Sequence, residues 1–176
     1  MSAESARLIR GGRIGVGRVL AGAGVVGVLD GTAAVLLRLA ISGAFDPAGV
    51  FQGIASVVAG DEAVGGGFRT VALGLAMHFS VALAWTTVYA TIYRYWPALR
   101  EFTRSTGGAV LAGAAFGPLV WIVMRLAVLP LLVAQGAIKP GPFLRMIAIH
   151  IVCVGIPMAF IIRDRQDDPH AREPAR

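Results

Sequence analysis

Residues 19–31, VLAGAGVVGVLDG, decide how the rest of the chain is read. They contain Gly22-x-Gly24-x-x-Gly27, the spacing of a dinucleotide-binding fingerprint, and Asp46 follows near where the acidic ribose partner of such a fold belongs. The same residues also set Ala23, Gly27 and Gly31 four apart, which on a helix makes one smooth face that another helix can approach closely. A fingerprint requires a strand before it, a helix after it and further βαβ units downstream. What surrounds the motif therefore decides between phosphate cradle and packing face.

Working outward, the chain is 176 residues, 56% hydrophobic and 15% charged, with a mean hydropathy of +0.72. Soluble domains carry about 25% charged residues, so too few polar side chains remain to cover a water-facing surface. A bilayer core of about 30 Å needs about 20 apolar residues of helix. Four segments qualify: 19–41, 70–93, 107–132 and 142–162. They lack the alternation of barrel strands, and backbone groups in hydrocarbon are otherwise satisfied only within a helix. The fold expected is all-α, a membrane bundle of four transmembrane helices. The glycine motif then lies inside the first span and reads as packing, as do Gly113 and Gly117 in the third. No nucleotide partner is expected.

The 16 Lys and Arg against 10 Asp and Glu give a net charge of +6. The basic residues fall at the chain ends and in one loop, a topological signal and not a nucleic-acid surface. Arg7, Arg10, Arg13 and Arg18 precede the first span, Arg94, Arg100 and Arg104 lie in the 94–106 connection, and Arg163, Arg165, Arg172 and Arg176 follow the last span. The alternate connections carry only Arg69 and Lys139, beside Asp46, Asp61 and Glu62. Both termini are expected in the cytoplasm. The basic segment 1–18 resembles a signal-peptide n-region, but the run after it is too long and contains Asp30, so it reads as a retained span. Segment 163–176 reads as a disordered polar tail. A single cysteine, Cys153, leaves no disulfide framework or multi-cysteine zinc site.

The connection after the first span contains a short helix over 47–59. Asp46 is its N-cap, Pro47 its first residue and Gly60 its stop. At 1.5 Å per residue it reaches only about 20 Å, too short to cross. Val50, Phe51, Ile54, Val57 and Val58 share one side, which suits an interfacial or re-entrant piece on the outer face, or a lid on the bundle.

Ionisable groups inside spans are costly and are functional candidates by default. Asp30, His78 and His150 come out at nearly one depth, with Arg38 and Arg125 nearer the outer face. A carboxylate and imidazoles stabilise one another's charge, so this layer is a candidate proton sensor or relay, or a hydrogen-bonded clamp. His78 and His150, on different helices, are also the axial pair a b-type haem needs, with Gly74 leaving room for the porphyrin edge. No resident cofactor or metal is otherwise expected. Arg38 and Arg125 are a candidate site for an anionic headgroup or solute, with Trp121 placed one turn from Arg125 for a cation-π contact. Tyr89, Tyr93, Tyr95 and Trp96 read as interfacial anchors. Ser80, Thr86 and Thr87 are helix hydroxyls that bond back to their own backbone, and no nucleophile and base pair marks an enzyme.

The stretches GLAMHFSVALAWTTVY (74–89), GPLVWIVMRLAVLPL (117–131) and IHIVCVGIPMAFIIR (149–163) resemble a family of small bacterial inner-membrane proteins of unknown function, the YagU-like group. The likeness covers residues 19–163. It implies a four-span protein of the bacterial inner membrane with an association with acid tolerance, and puts His78, Pro130, His150 and Pro157 in family-like positions. Arg125 departs from the pattern, where an uncharged polar residue is expected. The function expected is that of a non-catalytic structural or accessory membrane protein with a proton-handling Asp/His/His layer. Its partners would be lipids, further copies of itself or other membrane proteins. A haem protein and a small transporter or anion-binding protein are the rival readings.

Overall fold

The first helix, α1 (Val16–Ser42), runs unbroken through the glycine motif, so Gly22, Gly24 and Gly27 carry helical backbone. The computed structural model describes residues 14–132 and 143–163, and among these there is no strand. The basic segment before Ile14, the 133–142 connection with Lys139, and the polar tail beyond Arg163 lie outside the described residues. α1 stops where Gly43 turns left-handed (φ 72°) and its N–H donates to the Leu39 carbonyl, a conformation that favours glycine.

α2 (Pro47–Ala59) begins with the Asp46 carboxylate accepting the Gly49 N–H at 2.7 Å and Pro47 at its first turn, and ends at Gly60 (φ 74°). A 3-10 turn, Asp61–Ala63, leads to α3 (Gly67–Tyr95). A short helix not expected from the sequence, α4 (Pro97–Phe102), opens on Pro97, whose fixed φ and missing N–H suit a helix start. α5 (Thr106–Leu132) is capped by Ser105 Oγ, which accepts the Gly108 N–H at 2.9 Å, and α6 (Phe143–Ile162) completes the chain. Four helices, α1, α3, α5 and α6, are long and apolar enough to cross a membrane, with 27, 29, 27 and 20 residues.

α6 is central and touches α1, α3 and α5, while α1 also packs on α3 and α2 lies against α3. Glycine makes the closest approaches. A Cβ on Gly113 would enter the backbone of Gly155 and Ile156, and one on Gly117 would enter the His150 carbonyl, so α5 and α6 meet nearly backbone to backbone. Gly74 does the same for α2, where a Cβ would occupy the Phe51 carbonyl. Gln52, buried on α2, ties that helix down: its Nε2 donates to the Gly67 carbonyl at 3.3 Å and its Oε1 accepts the Gly65 N–H at 3.1 Å.

The core lies toward one end of the assembly, among Val26, Tyr89, Tyr93, Phe116, Val120, Met158 and Ile162. Here the structure corrects the reading of the aromatic residues. Tyr89 and Tyr93 are each 2% exposed and belong to this core, with Tyr89 edge-on to Phe116 at 4.9 Å. Only Tyr95 (73%) and Trp96 (58%) have the exposure of anchors. The cause is helical phase: Tyr89 and Tyr93 are one turn apart on the face of α3 that also buries Ala82 and Thr86. Leu20, Leu36, Leu111, Leu131 and Val152 point outward, a surface unsuited to water and compatible with an integral membrane protein.

Both α5 and α6 change pitch in mid-course. Met124–Val128 and His150–Gly155 are π-helical. Each segment ends two residues before a proline, Pro130 and Pro157. In each, the residue just before the proline reaches back five positions, Leu129 N–H to the Met124 carbonyl and Ile156 N–H to the Ile151 carbonyl. A proline ring crowds the carbonyl four residues earlier and leaves it without a donor. Those carbonyls belong to Leu126 and Cys153, and both fall within the widened turns, the local adjustment by which apolar helices absorb proline.

Candidate functional cleft

Bordering the core, where α5 and α6 widen and α2 is inserted, the helices leave a cleft of about 390 Å³. Its walls are apolar and include Trp85 and Trp121, and its polar groups are Asp30 from α1, His78 from α3, Arg125 from α5 and His150 from α6. The three residues that the sequence puts at one depth thus face a common space. Arg125 and His150 both lie in the π turns that precede Pro130 and Pro157, so those turns set the bearing of two cleft side chains. π turns recur at functional sites for this reason.

The histidines do not bond to Asp30. His78 Nε2 donates to the Gly27 carbonyl at 2.9 Å, across 51 residues of sequence. His150 Nδ1 donates to the Met146 carbonyl at 2.8 Å, one turn back on its own helix. Because a carbonyl can only accept, each bonded nitrogen must carry a proton. His78 therefore has Nδ1 left over, and His150 has Nε2. Asp30, half-buried, has no hydrogen bond or ion pair among the described residues. The interhelical tie expected between carboxylate and imidazole is made by a backbone carbonyl instead, because Gly27 and Gly31 bring the α1 backbone up to the ring: a Cβ on Gly31 would lie 3.3 Å from His78 Nε2. The ring is held further by edge contacts with Phe51 (5.8 Å) and Phe79 (5.5 Å).

A second cleft of about 360 Å³ adjoins the first, sharing Asp30, Ala34, Val50 and Met146, and extends along α1 to Arg38 and Ser42. Arg38 donates to Asp46 Oδ2 at 2.7 Å. The Gly49 N–H and then the Arg38 guanidinium hold the Asp46 carboxyl below its ordinary range. Arg38 lines this second cleft and Arg125 the first. Ala23, Gly27, Gly31, Gly113 and Gly117 are all buried at helix contacts. Ser80, Thr86 and Thr87 each donate to the carbonyl four residues back. Among the described residues no three His, Cys, Asp or Glu side chains converge as metal ligands.

Each imidazole keeps one nitrogen outside its backbone bond, Nδ1 of His78 and Nε2 of His150; the His78 ring is flanked by Phe51 and Phe79, and the space beside Gly74 is filled by the Phe51 backbone.

The π turns and the buried Gln52 were not anticipated from sequence. Pro130 and Pro157 inside apolar spans are the signal that could have located the turns. No protein-family model, no curated protein and no solved structure matches this chain.

Proposed function

We propose that this chain is a non-catalytic integral membrane protein whose Asp30, His78 and His150 cleft takes up and releases protons. The observation that supports the reading is the division of labour within each imidazole: one nitrogen is anchored by donating to a backbone carbonyl, and the other remains as an acceptor. Imidazole is the side chain that ordinarily changes charge near neutral pH, and a carboxylate, Asp30, lines the same cleft. An apolar cleft of this size with a few polar groups is a ligand site by default, which favours a small transporter or sensor over a purely structural part. The YagU-like resemblance, the bacterial inner membrane and cytoplasmic termini belong to the same proposal and rest on the sequence words and on the alternation of basic loops.

Trp85 and Trp121 line the cleft and Trp96 is the third tryptophan, so a Trp96→Phe chain in nanodiscs reports on the cleft by fluorescence. Its emission and its proton uptake in weak buffer are expected to show a transition between about pH 5 and 8 that Asp30→Asn displaces and His78→Gln with His150→Gln abolishes. Identical curves for parent and variants would reduce the layer to static packing.

A further inference from the structure

The charges around the larger cleft specify what kind of ligand it takes. Its titratable and charged groups are Asp30, His78, Arg125 and His150, and α2 contributes apolar side chains only. Cys153, on α6, lies within electrostatic reach of Asp30. One group is acidic; one is a permanent cation and two become cations on gaining a proton. With both imidazoles neutral the lining is balanced, and each proton gained makes it positive. The charge that restores balance is an anion. Around those groups the walls are apolar and aromatic, and the volume lies near the lower end of the range for ligand pockets, about 300–1,000 Å³.

We infer that the cleft binds a small carboxylate with an apolar body, its carboxylate directed to Arg125 and His150 and its body against Trp85 and Trp121, together with a proton. This rests on the proton-handling reading above and names its ligand class. Arg125 and His150 line the same cleft, each from a π turn on adjoining helices. The proton comes from water onto His150 Nε2, the ring nitrogen not bonded to Met146, and no bond of the ligand is broken. The bound carboxylate then meets two N–H donors of positive groups, the stronger kind of hydrogen bond. By linkage, acidification tightens binding and binding draws a proton from the medium.

The test uses the full chain in nanodiscs, in the Trp96→Phe background, with phenylacetate, its neutral isostere phenylacetamide and the cation phenethylamine. Phenylacetate should change the tryptophan emission, bind more tightly as pH falls from about 8 to 6, and take up a proton measurable with a pH dye. Arg125→Gln should weaken phenylacetate binding by about tenfold to a hundredfold and leave phenylacetamide unaffected. Arg125→Lys, which keeps the charge and controls for folding, should recover part of the loss. Equal affinity for acid and amide, or a preference for the amine, would overturn the inference, the latter making Asp30 the recognising group. Ligand-free proton uptake separates the two levels: if it persists while phenylacetate fails to bind, the ligand class is wrong and the proton reading stands. If phenylacetate binds selectively with no proton taken up at any pH, the proton reading is what fails.

Discussion

The imidazole of His78 is tied to the carbonyl of Gly27, on a helix 51 residues away in sequence, through a 2.9 Å bond donated by Nε2. Single polar ties between membrane helices contribute about 0.6 kcal/mol on average, so this one fixes a ring more than it holds a fold. His78→Gln is therefore expected to lower unfolding free energy by about 1 kcal/mol or less, measured by denaturant titration in mixed micelles, while removing much of the pH response of the cleft. A loss of several kcal/mol with the pH response intact would make His78 a structural clamp.

Glycines that look alike in the sequence should respond oppositely to alanine. Within the fingerprint-like motif, a Cβ on Gly24 meets nothing within 4 Å, whereas one on Gly27 would press into the Phe79 ring. Gly24→Ala should be neutral or stabilising by up to about 1 kcal/mol. Gly27→Ala should cost less than Gly117→Ala, because a phenyl ring can move and the His150 backbone cannot. For Gly117→Ala and Gly74→Ala the expected cost is about 1–3 kcal/mol, read from the same titrations. Equal tolerance at all four positions would contradict the close approaches on which the cleft walls depend.

The hydroxyl of Tyr89 is buried in the core and has no hydrogen-bond partner among the described residues. An orphaned buried donor costs about 1–3 kcal/mol, so Tyr89→Phe should stabilise the protein by about 1 kcal/mol without changing ligand or proton binding. Destabilisation would reveal a partner for the hydroxyl.

Asp46 supplies the acid-sensitive contact outside the spans. Its carboxyl is held below the ordinary value of 3.8, chiefly by the Gly49 N–H and then by Arg38. A depressed folded-state pKa stabilises above the unfolded value and ceases to do so as pH falls through the folded one. Amides at the start of α2 should therefore be protected at neutral pH and exchange faster below about pH 4, followed by hydrogen exchange. In Asp46→Asn, which still caps but cannot pair with Arg38, this acid-dependent step should vanish. Asp46→Ala should lose protection at every pH.

The lengths of the spans were legible because apolar length alone decides whether a helix can cross a bilayer, and α2 was legible because Asp46, Pro47 and Gly60 are local signals of start and stop. Counting residues along helices gave Asp30, His78 and His150 a shared depth. What counting could not supply was azimuth. Depth depends on rise per residue, but facing depends on phase, and phase is altered by each π turn. On α3, which is α-helical throughout, phase alone turns Tyr89 from the expected interface into the core, and the group that receives the His78 N–H is the Gly27 carbonyl, which no side-chain pattern marks.

The same point gives the sharpest test of how the site is built. Pro157 leaves the Cys153 carbonyl without its usual donor, and the π turn His150–Gly155 accommodates that defect. With Pro157→Ala the N–H returns, the four-residue pattern can close, and residues on one side of the turn rotate by about 100° relative to the other, one residue's worth of helix. Helix content by circular dichroism should not fall, since a defect is repaired. The bearing of His150 relative to Met158 and Ile162, which are fixed in the core, should change, and with it the pH response of the cleft. Cys153 lies inside the turn and is the only cysteine of the chain, so its maleimide labelling rate reads the rotation directly. An altered rate in Pro157→Ala, with helix content preserved, is the expected result; an unaltered one would mean that something other than the proline sets the turn and aims His150.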